Sequence, residues 1–353
     1  MIARMIKKTL ITSSFIALWI VSLMGYATNI TSFKAEEFIN NMVKKYHFNK
    51  TQLTHLLNQA QYNAEVIEKI KRPYEDKPWY EYRDFFITQD RVDKGIEFWK
   101  KHETALRYAQ KHYGVQPSII VGIIGVETNY GENLGKYKVL NTLFTLAFNY
   151  PLREHFFQQE LTQYLILCRD SNLNPLTIKG SYAGAIGLPQ FMPSSYRNYA
   201  IDATGDGKID LMHNANDAIA SVANFLKKSG WTTHQPIAVR AKIITKKKIL
   251  NVPFSLKPQS TIVKLEKEGI KPLVHLSKHQ EGMLIALEDK NKREYWIGLH
   301  NFYVVSQYNP RINYVMAVFQ LGEAIQNNIT RISHIAQKKK IGIQRSRIAN
   351  YVK

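Results

Sequence analysis

One acidic residue at the end of an apolar helix constrains this chain more than any other feature. Glu127 directly follows Ile119–Val126, a run that contains only aliphatic residues and glycine. Pro117 suits the first position of a helix, and Gly131 predicts where the helix ends. Because apolar residues cover every face, we expect this helix to lie inside the core.

A carboxylate in such a helix is costly to bury unless it is paired or chemically active. Desolvation and the negative end of the helix dipole are both expected to raise the pKa of Glu127. A carboxylic acid that stays protonated near neutral pH is the proton donor that a glycosidase needs. The alternative is that Glu127 only caps the helix or pairs with an arginine, and the helix by itself does not decide between them.

A second segment, residues 180–196, combines many small residues with isolated polar groups. Glycines allow a backbone to approach a ligand closely. Ser181 and Gln190 supply a hydroxyl and an amide, which are suitable partners for sugar hydroxyl and acetamido groups. Taken alone, the segment is equally typical of tight helix packing.

Three motifs together resemble the MltB family of lytic murein transglycosylases. They are Gly125-Val126-Glu127-Thr128, the stretch 181–196, and Asn301-Phe302-Tyr303-Val304 with Tyr308-Asn309. The resemblance extends from about Phe38 to about Gln326. It implies a lysozyme-like helical lobe, a β lobe inserted late in the chain, and a cleft between them.

The pattern of apolar residues predicts an α+β fold that is mainly α, with a small inserted β subdomain. The resemblance implies that the helical lobe is lysozyme-like. Helices are expected within 35–70, 92–113, 140–148, 155–169, 216–228 and 314–329, and strands at 239–244, 262–265, 283–287 and 295–299. The predicted divisions are a signal peptide or N-terminal anchor (1–27), a catalytic lobe (33–235), the β subdomain (236–300), a return to the catalytic lobe (301–330) and a basic tail (331–353), whose end is expected to fray.

The N-terminal residues have the pattern of an export signal. Arg4, Lys7 and Lys8 precede the apolar stretch Leu10–Met24, and a small-residue cleavage site follows at Ala27. We therefore expect a protein of the periplasm or cell envelope, with an uncleaved inner-membrane anchor as the alternative. No cysteine lies directly after the apolar stretch, so a lipoprotein is not expected.

Charge and cysteine content restrict the partners. The chain has 48 Lys and Arg residues against 28 Asp and Glu, a net charge of +20, which favours an anionic partner. Nucleic acid is not expected because no nucleic-acid-binding motif is present. Peptidoglycan strands and the membrane surface both fit, and the oligomeric state is left open. The single cysteine, Cys168, is expected to be a small core residue.

Residues 202–213 match the calcium-binding loop of an EF-hand, and the family carries such a loop here. The expected metal ligands are Asp202, Thr204, Asp206, Lys208 and Asp210. The twelfth position, normally acidic, is His213, which weakens the expected affinity. The alternatives are weak structural calcium binding and a metal-free turn held by Asx hydrogen bonds.

The resemblance also implies further substrate contacts. It places Tyr308, Asn309 and Tyr314 in the cleft, although core packing is the commoner role for any single tyrosine. Of two arginines that contact the peptide stem in the family, only Arg153 is present. Leu152 replaces the other arginine, and Phe156 and Phe225 stand where tyrosine occurs in the family.

The sequence therefore predicts a lytic murein transglycosylase, a carbon-oxygen lyase that acts on a polysaccharide. Glu127 is expected to cleave the MurNAc-β-1,4-GlcNAc bond of peptidoglycan without water and to leave 1,6-anhydroMurNAc ends. No second acid is tied to Glu127 by motif, and no catalytic cofactor is expected. The alternatives are a hydrolytic muramidase, in which water attacks, and a non-catalytic murein-binding scaffold.

Overall fold

The computed structural model of the protein describes residues 33–72, 77–244 and 255–351. The predicted signal or anchor at 1–27 lies outside these residues. The chain divides into a first unit within Met1–Lys71 and Lys136–Gly184 and a second unit within Arg72–Gly135 and Ala185–Lys353. In the described ranges, no helix combines the length and the apolar character needed to cross a membrane.

Helices dominate both units. In chain order they are α1 (33–46), α2 (Lys50–Leu57), α3 (Ala64–Ile70), α4 (Trp79–Phe86), α5 (Gln89–Lys101), α6 (Glu103–Tyr113), α7 (Pro117–Thr128), α8 (Val139–Asn149), α9 (Glu154–Asp170), α10 (Pro193–Tyr199), α11 (Ala215–Lys228), α12 (Ile262–Lys267), α13 (His300–Ser306) and α14 (Ile312–Tyr351). A short 3-10 helix, Pro151–Arg153, precedes α9. Polar caps fix several starts: Asn49, Asn63, Thr88 and Asn214 each accept a backbone N–H of the first turn.

A five-stranded antiparallel sheet forms in the second unit. Its strands are β3 (Ala238–Ile243), β4 (Ser260–Thr261), β5 (Ile270–Pro272), β6 (Glu281–Glu288) and β7 (Arg293–Gly298), in the order β4-β6-β7-β3-β5. A two-stranded ladder, β1 (Tyr137–Lys138) with β2 (Lys179–Gly180), lies in the first unit. The mainly helical α+β fold with a small sheet is confirmed.

The strand predicted at 262–265 is wrong, because these residues belong to α12. Ile262 and Leu265 are both 1% exposed and lie three residues apart, so they share one face of that helix. They pack with Val239, Ile270 and Ile297 of the sheet. A short apolar run does not reveal by its composition whether it forms a strand or a buried helical turn.

The single helical stretch predicted over 92–113 is two helices. His102 ends α5 with φ −114° and ψ 24°, outside the helical range. The buried residues Val92, Ile96 and Trp99 of α5 and Leu106 of α6 keep one helical phase across the break. Apolar periodicity therefore could not detect it.

The helix predicted at 314–329 is part of a longer helix, because α14 continues through most of the basic tail to Tyr351, and the last two residues of the tail lie outside the described residues. Its last part contains no proline and many Lys, Arg, Gln and Ala residues, which tolerate a helical backbone.

The predicted burial of the Glu127 helix is confirmed. Ile120, Val121, Ile123 and Ile124 of α7 are all 0% exposed. The helix packs closely on α14, since a Cβ atom on Gly122 would lie 2.4 Å from the carbonyl oxygen of Val318. This close approach of two backbones fixes α7, and with it Glu127, relative to the start of α14.

Candidate active site

Glu127 lies in the last turn of α7, where the helix reaches the protein surface. Its side chain is half-buried, between Val126 and Thr128, which are both buried. The helix ends at Asn129, which takes a left-handed conformation with φ 49°. The prediction that the helix ends at Gly131 is therefore wrong. Asn129 ends it instead, because an asparagine can adopt the left-handed region at low cost.

Tyr314 is the partner of Glu127. Its hydroxyl donates a hydrogen bond of 2.6 Å to Oε1 of Glu127. Tyr314 is only 2% exposed. Burial, followed by the charge of Glu127, raises the pKa of Tyr314 well above its ordinary value. The hydroxyl therefore keeps its proton at any physiological pH and acts as the donor.

Tyr308 extends this arrangement. Its ring stacks on that of Tyr314, with centroids 6.3 Å apart and planes at 13°, and meets Phe225 edge to face at 4.9 Å. Its hydroxyl donates to the carbonyl oxygen of Pro189. Burial and then the charge of Glu127 raise the pKa of Tyr308 as well. Phe225, which lacks the hydroxyl of the family tyrosine, thus supports Tyr308 by ring packing.

Residues 187–190 form a tight turn beside this tyrosine pair. Gln190 has φ 49°, and its amide Nε2 donates to the carbonyl oxygens of Gly187 (2.8 Å) and Leu134 (3.3 Å). Gly187 has φ 76°, and a Cβ atom there would lie 2.4 Å from the carbonyl oxygen of Leu211. Since both amide protons of Gln190 have protein acceptors, its carbonyl oxygen is the group left for a ligand.

Thr128 belongs to the sequence motif around Glu127, but the sequence predicted no role for it. In the structure its hydroxyl is buried and hydrogen-bonded. The residue is 1% exposed. Its Oγ1 lies 3.0 Å from the carbonyl oxygen of Leu188 and 3.2 Å from that of Ile124, and it accepts the N–H of Gly131 at 3.1 Å. The sequence signal for this role is a hydroxyl at the end of an otherwise apolar helix.

The predicted catalytic and substrate-binding residues belong to both units. Glu127, Gln190, Tyr308, Asn309 and Tyr314 belong to the second unit, and Ser181 and Arg153 to the first. Ser181 Oγ accepts the N–H of Ala183 at 3.2 Å.

Arg153 is exposed at the end of the 3-10 helix. Its guanidinium lies over the ring of Phe156 at 4.2 Å. The phenylalanine that replaces the family tyrosine therefore still supports this cation.

The loop 202–213 is held by its own acidic side chains. Asp202 accepts the N–H groups of Gly205 at 2.7 Å and Gly207 at 2.8 Å, and Asp206 accepts that of Lys208 at 2.8 Å. Thr204 Oγ1 also donates to Asp202. These are Asx-type turns.

His213 and Asp217 complete this loop. His213 bonds Asp210 at 3.0 Å, and its side chain is 75% exposed. Asp217 is fully buried and accepts the N–H groups of Ala203 and Asp210, both at 2.9 Å. Burial raises the pKa of Asp217. Across the described ranges, no group of three or more His, Cys, Asp or Glu side chains is arranged to hold a metal ion. The oxygen donors suit calcium chemically, but they are turned toward backbone N–H groups.

The fold, with Glu127 and the tyrosine pair at the end of a buried helix, defines a lysozyme-like enzyme of the cell wall. The sequence pattern of the transglycosylase SLT domain matches residues 31–323, and the chain belongs to this family. The resemblance drawn from the three motifs is thereby confirmed. Members of this group are lytic transglycosylases, so the protein is a lyase that acts on peptidoglycan, and such catalysis needs no cofactor.

Three known proteins show the extent of the similarity. Membrane-bound lytic murein transglycosylase B of Escherichia coli (strain K12) is 42% identical over 301 residues, 82% of each chain. Soluble lytic transglycosylase SltB1 of Pseudomonas aeruginosa is 41% identical, covers 83% of this chain and 98% of its own, and gives a TM-score of 0.79. E. coli lytic transglycosylase Slt35 in complex with calcium is 42% identical, with coverages of 84% and 93% and a TM-score of 0.78.

Proposed function

We propose that Glu127 performs both proton transfers of the lytic reaction. The hydrogen bond from Tyr314 to Oε1 carries this proposal, because it fixes the carboxyl group at the exposed end of a buried helix. The bond joins Oε1 of Glu127 to the hydroxyl of Tyr314 at 2.6 Å. A positioned carboxyl group of this kind typically contributes ~10²–10⁴-fold to the rate.

The reaction then proceeds in two steps. Glu127 gives its proton to the bridging oxygen, and the bond from C1 of N-acetylmuramic acid to that oxygen breaks. The N-acetyl group of the same sugar stabilises the positive charge at C1. The C6 hydroxyl oxygen then bonds to C1, and its proton passes to Glu127, which is protonated again. The product is a 1,6-anhydro ring, and no water is consumed.

The remaining site residues are proposed to bind the glycan. The carbonyl oxygen of Gln190 and the hydroxyl of Ser181 would bond sugar hydroxyl or acetamido groups. Tyr308 and Asn309 would line the sugar-binding surface near Glu127, and Tyr314, predicted to lie there too, is buried and would act through its bond to Glu127. Arg153, supported by the Phe156 ring, would contact carboxylates of the peptide stem. We also propose that residues 33–235 and 301–330 form the catalytic lobe and that residues 236–300 form the β subdomain.

Product analysis tests the reaction type. Murein is digested in water labelled with ¹⁸O, and the muropeptides are examined by mass spectrometry. We expect 1,6-anhydro ends and no ¹⁸O in the sugars. Reducing ends that carry ¹⁸O would make the enzyme a hydrolytic muramidase, and the absence of any cleavage would support a murein-binding scaffold.

Calcium is proposed as a weak structural ligand. The supporting observations are the oxygen donors of Asp202, Thr204, Asp206 and Asp210, the backbone carbonyl of Lys208, and calcium bound to Slt35. In the present arrangement the carboxylates already bond the loop backbone, so binding calcium requires them to turn. With His213 at the twelfth position, one carboxylate ligand is replaced by an imidazole, and low affinity follows.

The protein is proposed to act in the periplasm, exported by its N-terminal signal and held to the envelope by charge. The signal-like pattern at 4–27 and the net charge of +20 support this. The E. coli relative is described as membrane-bound. An uncleaved anchor at 10–27 is the alternative that fractionation tests.

A further inference from the structure

We propose that Thr128 is a positioning residue. It holds the turn 187–190, and through it Tyr308, whose ring stacks on Tyr314, in the correct position relative to Glu127. The proposal rests on the catalytic role given to Glu127 above. Thr128 itself is buried and reaches the substrate only through other residues.

A closed path of contacts connects Thr128 to its neighbour Glu127. From Thr128 it passes through the 3.0 Å hydrogen bond to the carbonyl oxygen of Leu188 and along the chain to Pro189. The carbonyl oxygen of Pro189 accepts the hydroxyl of Tyr308, whose ring stacks on Tyr314. The hydroxyl of Tyr314 returns to Glu127 at 2.6 Å. We call this path the contact circuit.

The hydroxyl of Thr128 is the only part of this residue that can make the required link. Its single proton is shared between the carbonyl oxygens of Leu188 and Ile124, and Oγ1 accepts the N–H of Gly131. Valine has nearly the same shape but no hydroxyl, and it would leave the carbonyl of Leu188 without this donor. The turn would then be free to shift away from the end of α7.

The other side of the turn cannot replace this link. The N–H of Leu188 donates to the carbonyl oxygen of Leu211 at 2.7 Å, and Gly187 packs against the same carbonyl. These contacts tie the turn to the loop 202–213 rather than to α7. The bond from Thr128, together with that from Gln190 to Leu134, therefore sets where Pro189 and Tyr308 lie relative to the end of α7, whereas the packing of α14 on α7 places Tyr314.

Steady-state kinetics of Thr128→Val and Thr128→Ser on soluble glycan strands test the proposal. We expect Thr128→Val to lower kcat about 10- to 100-fold with little change in KM, because misplacing a catalytic group by about 1 Å can cost ~10²-fold. Thr128→Ser keeps the hydroxyl and should restore most of kcat. A wild-type kcat in Thr128→Val, or equal losses in both variants, overturns the proposal.

Thr142→Val is the matched control. Thr142 is also 1% exposed, and its hydroxyl has no hydrogen-bond partner among the residues that the structure describes. Removing this hydroxyl should leave kcat unchanged. An equal loss of kcat in Thr142→Val would mean that a buried hydroxyl matters only for general packing, which also overturns the proposal.

A double-mutant cycle separates positioning from a loss of folding. Tyr308→Phe cuts the contact circuit at a different bond, so Thr128→Val and Tyr308→Phe together should lower kcat by less than the product of their single effects. Independent effects would multiply and would contradict the circuit. Glu127→Gln, measured alongside, tests the proposed function separately: if it is inactive while Thr128→Val is normal, only the role of Thr128 is lost.

Discussion

The hydroxyl of Tyr314 lies 2.6 Å from Oε1 of Glu127, although the two residues are 187 positions apart in the chain. Tyr314 belongs to the first turn of α14, and Glu127 to the last turn of α7. The close packing of these two helices at Gly122 brings the residues together. The carboxyl group thus has one oxygen, Oε1, held by a residue from the distant helix α14.

Tyr314→Phe should lower kcat about 10- to 100-fold. A hydrogen bond to a charged group contributes about 1.5–3 kcal/mol, and each ~1.4 kcal/mol is a factor of ten. The hydrogen bond from Tyr314 favours the ionised form of Glu127. Without it, Glu127 should keep its proton to higher pH, so the alkaline limb of the kcat profile should move to higher pH. Rates measured from pH 4 to 9 check both effects, and an unshifted limb would contradict a direct contact during turnover.

Glu127→Gln should abolish murein cleavage and leave the fold and glycan binding intact. The amide cannot supply the proton, and general acid catalysis typically contributes ~10²–10⁴-fold. Glu132→Gln is the control, since Glu132 is exposed and pairs with Lys94 at 2.9 Å. Release of muropeptides from sacculi is the measurement. More than about a hundredth of the activity remaining would argue against the role.

Calcium should raise the melting temperature without changing kcat. Binding to the folded state alone stabilises by roughly 2.7 kcal/mol at a hundredfold excess over the dissociation constant. Scanning calorimetry in chelator and in millimolar calcium measures the shift, and Asp206→Asn should reduce it. An identical melting temperature in both solutions would favour the metal-free turn.

High salt should release the protein from washed envelopes. Attraction between a chain of net charge +20 and an anionic surface is screened by salt, with a Debye length of ~10 Å at 0.1 M and ~3 Å at 1 M. Immunoblots of the soluble and membrane fractions provide the measurement. Retention until detergent is added would instead identify residues 10–27 as an uncleaved anchor.

Gly122→Ala should destabilise the protein by about 1–3 kcal/mol, the usual cost of overpacking a core. The new Cβ would lie 2.4 Å from the backbone oxygen of Val318, which cannot move without shifting α14. In an exposed helix the same change stabilises by about 1 kcal/mol, so the sign of the effect is diagnostic. Urea denaturation measures it, and a more stable variant would show that the two helices can separate at no cost.

The sequence by itself determined the elements whose pattern is locally unambiguous. Pro117 and the apolar run after it predicted a buried helix before Glu127, and the structure confirms it. The partly alternating segments of β3, β6 and β7 form strands as predicted. The segment 262–265 was mispredicted because a few apolar residues suit both a strand and a helical turn. The break at His102 was missed because the apolar phase continues through it.

The arrangement of the site was decided by the tertiary structure. Family resemblance supplied Tyr308 and Tyr314 as candidates, but not which of them bonds Glu127. A role for Thr128 could not be predicted from the sequence, because its hydroxyl bonds the carbonyl oxygen of Leu188 only once the chain has folded. Periodicity reports which face of a helix is buried. Hydrogen bonds between residues far apart in the chain depend on how closely the helices pack, and here that distance is set by the glycine contact between α7 and α14.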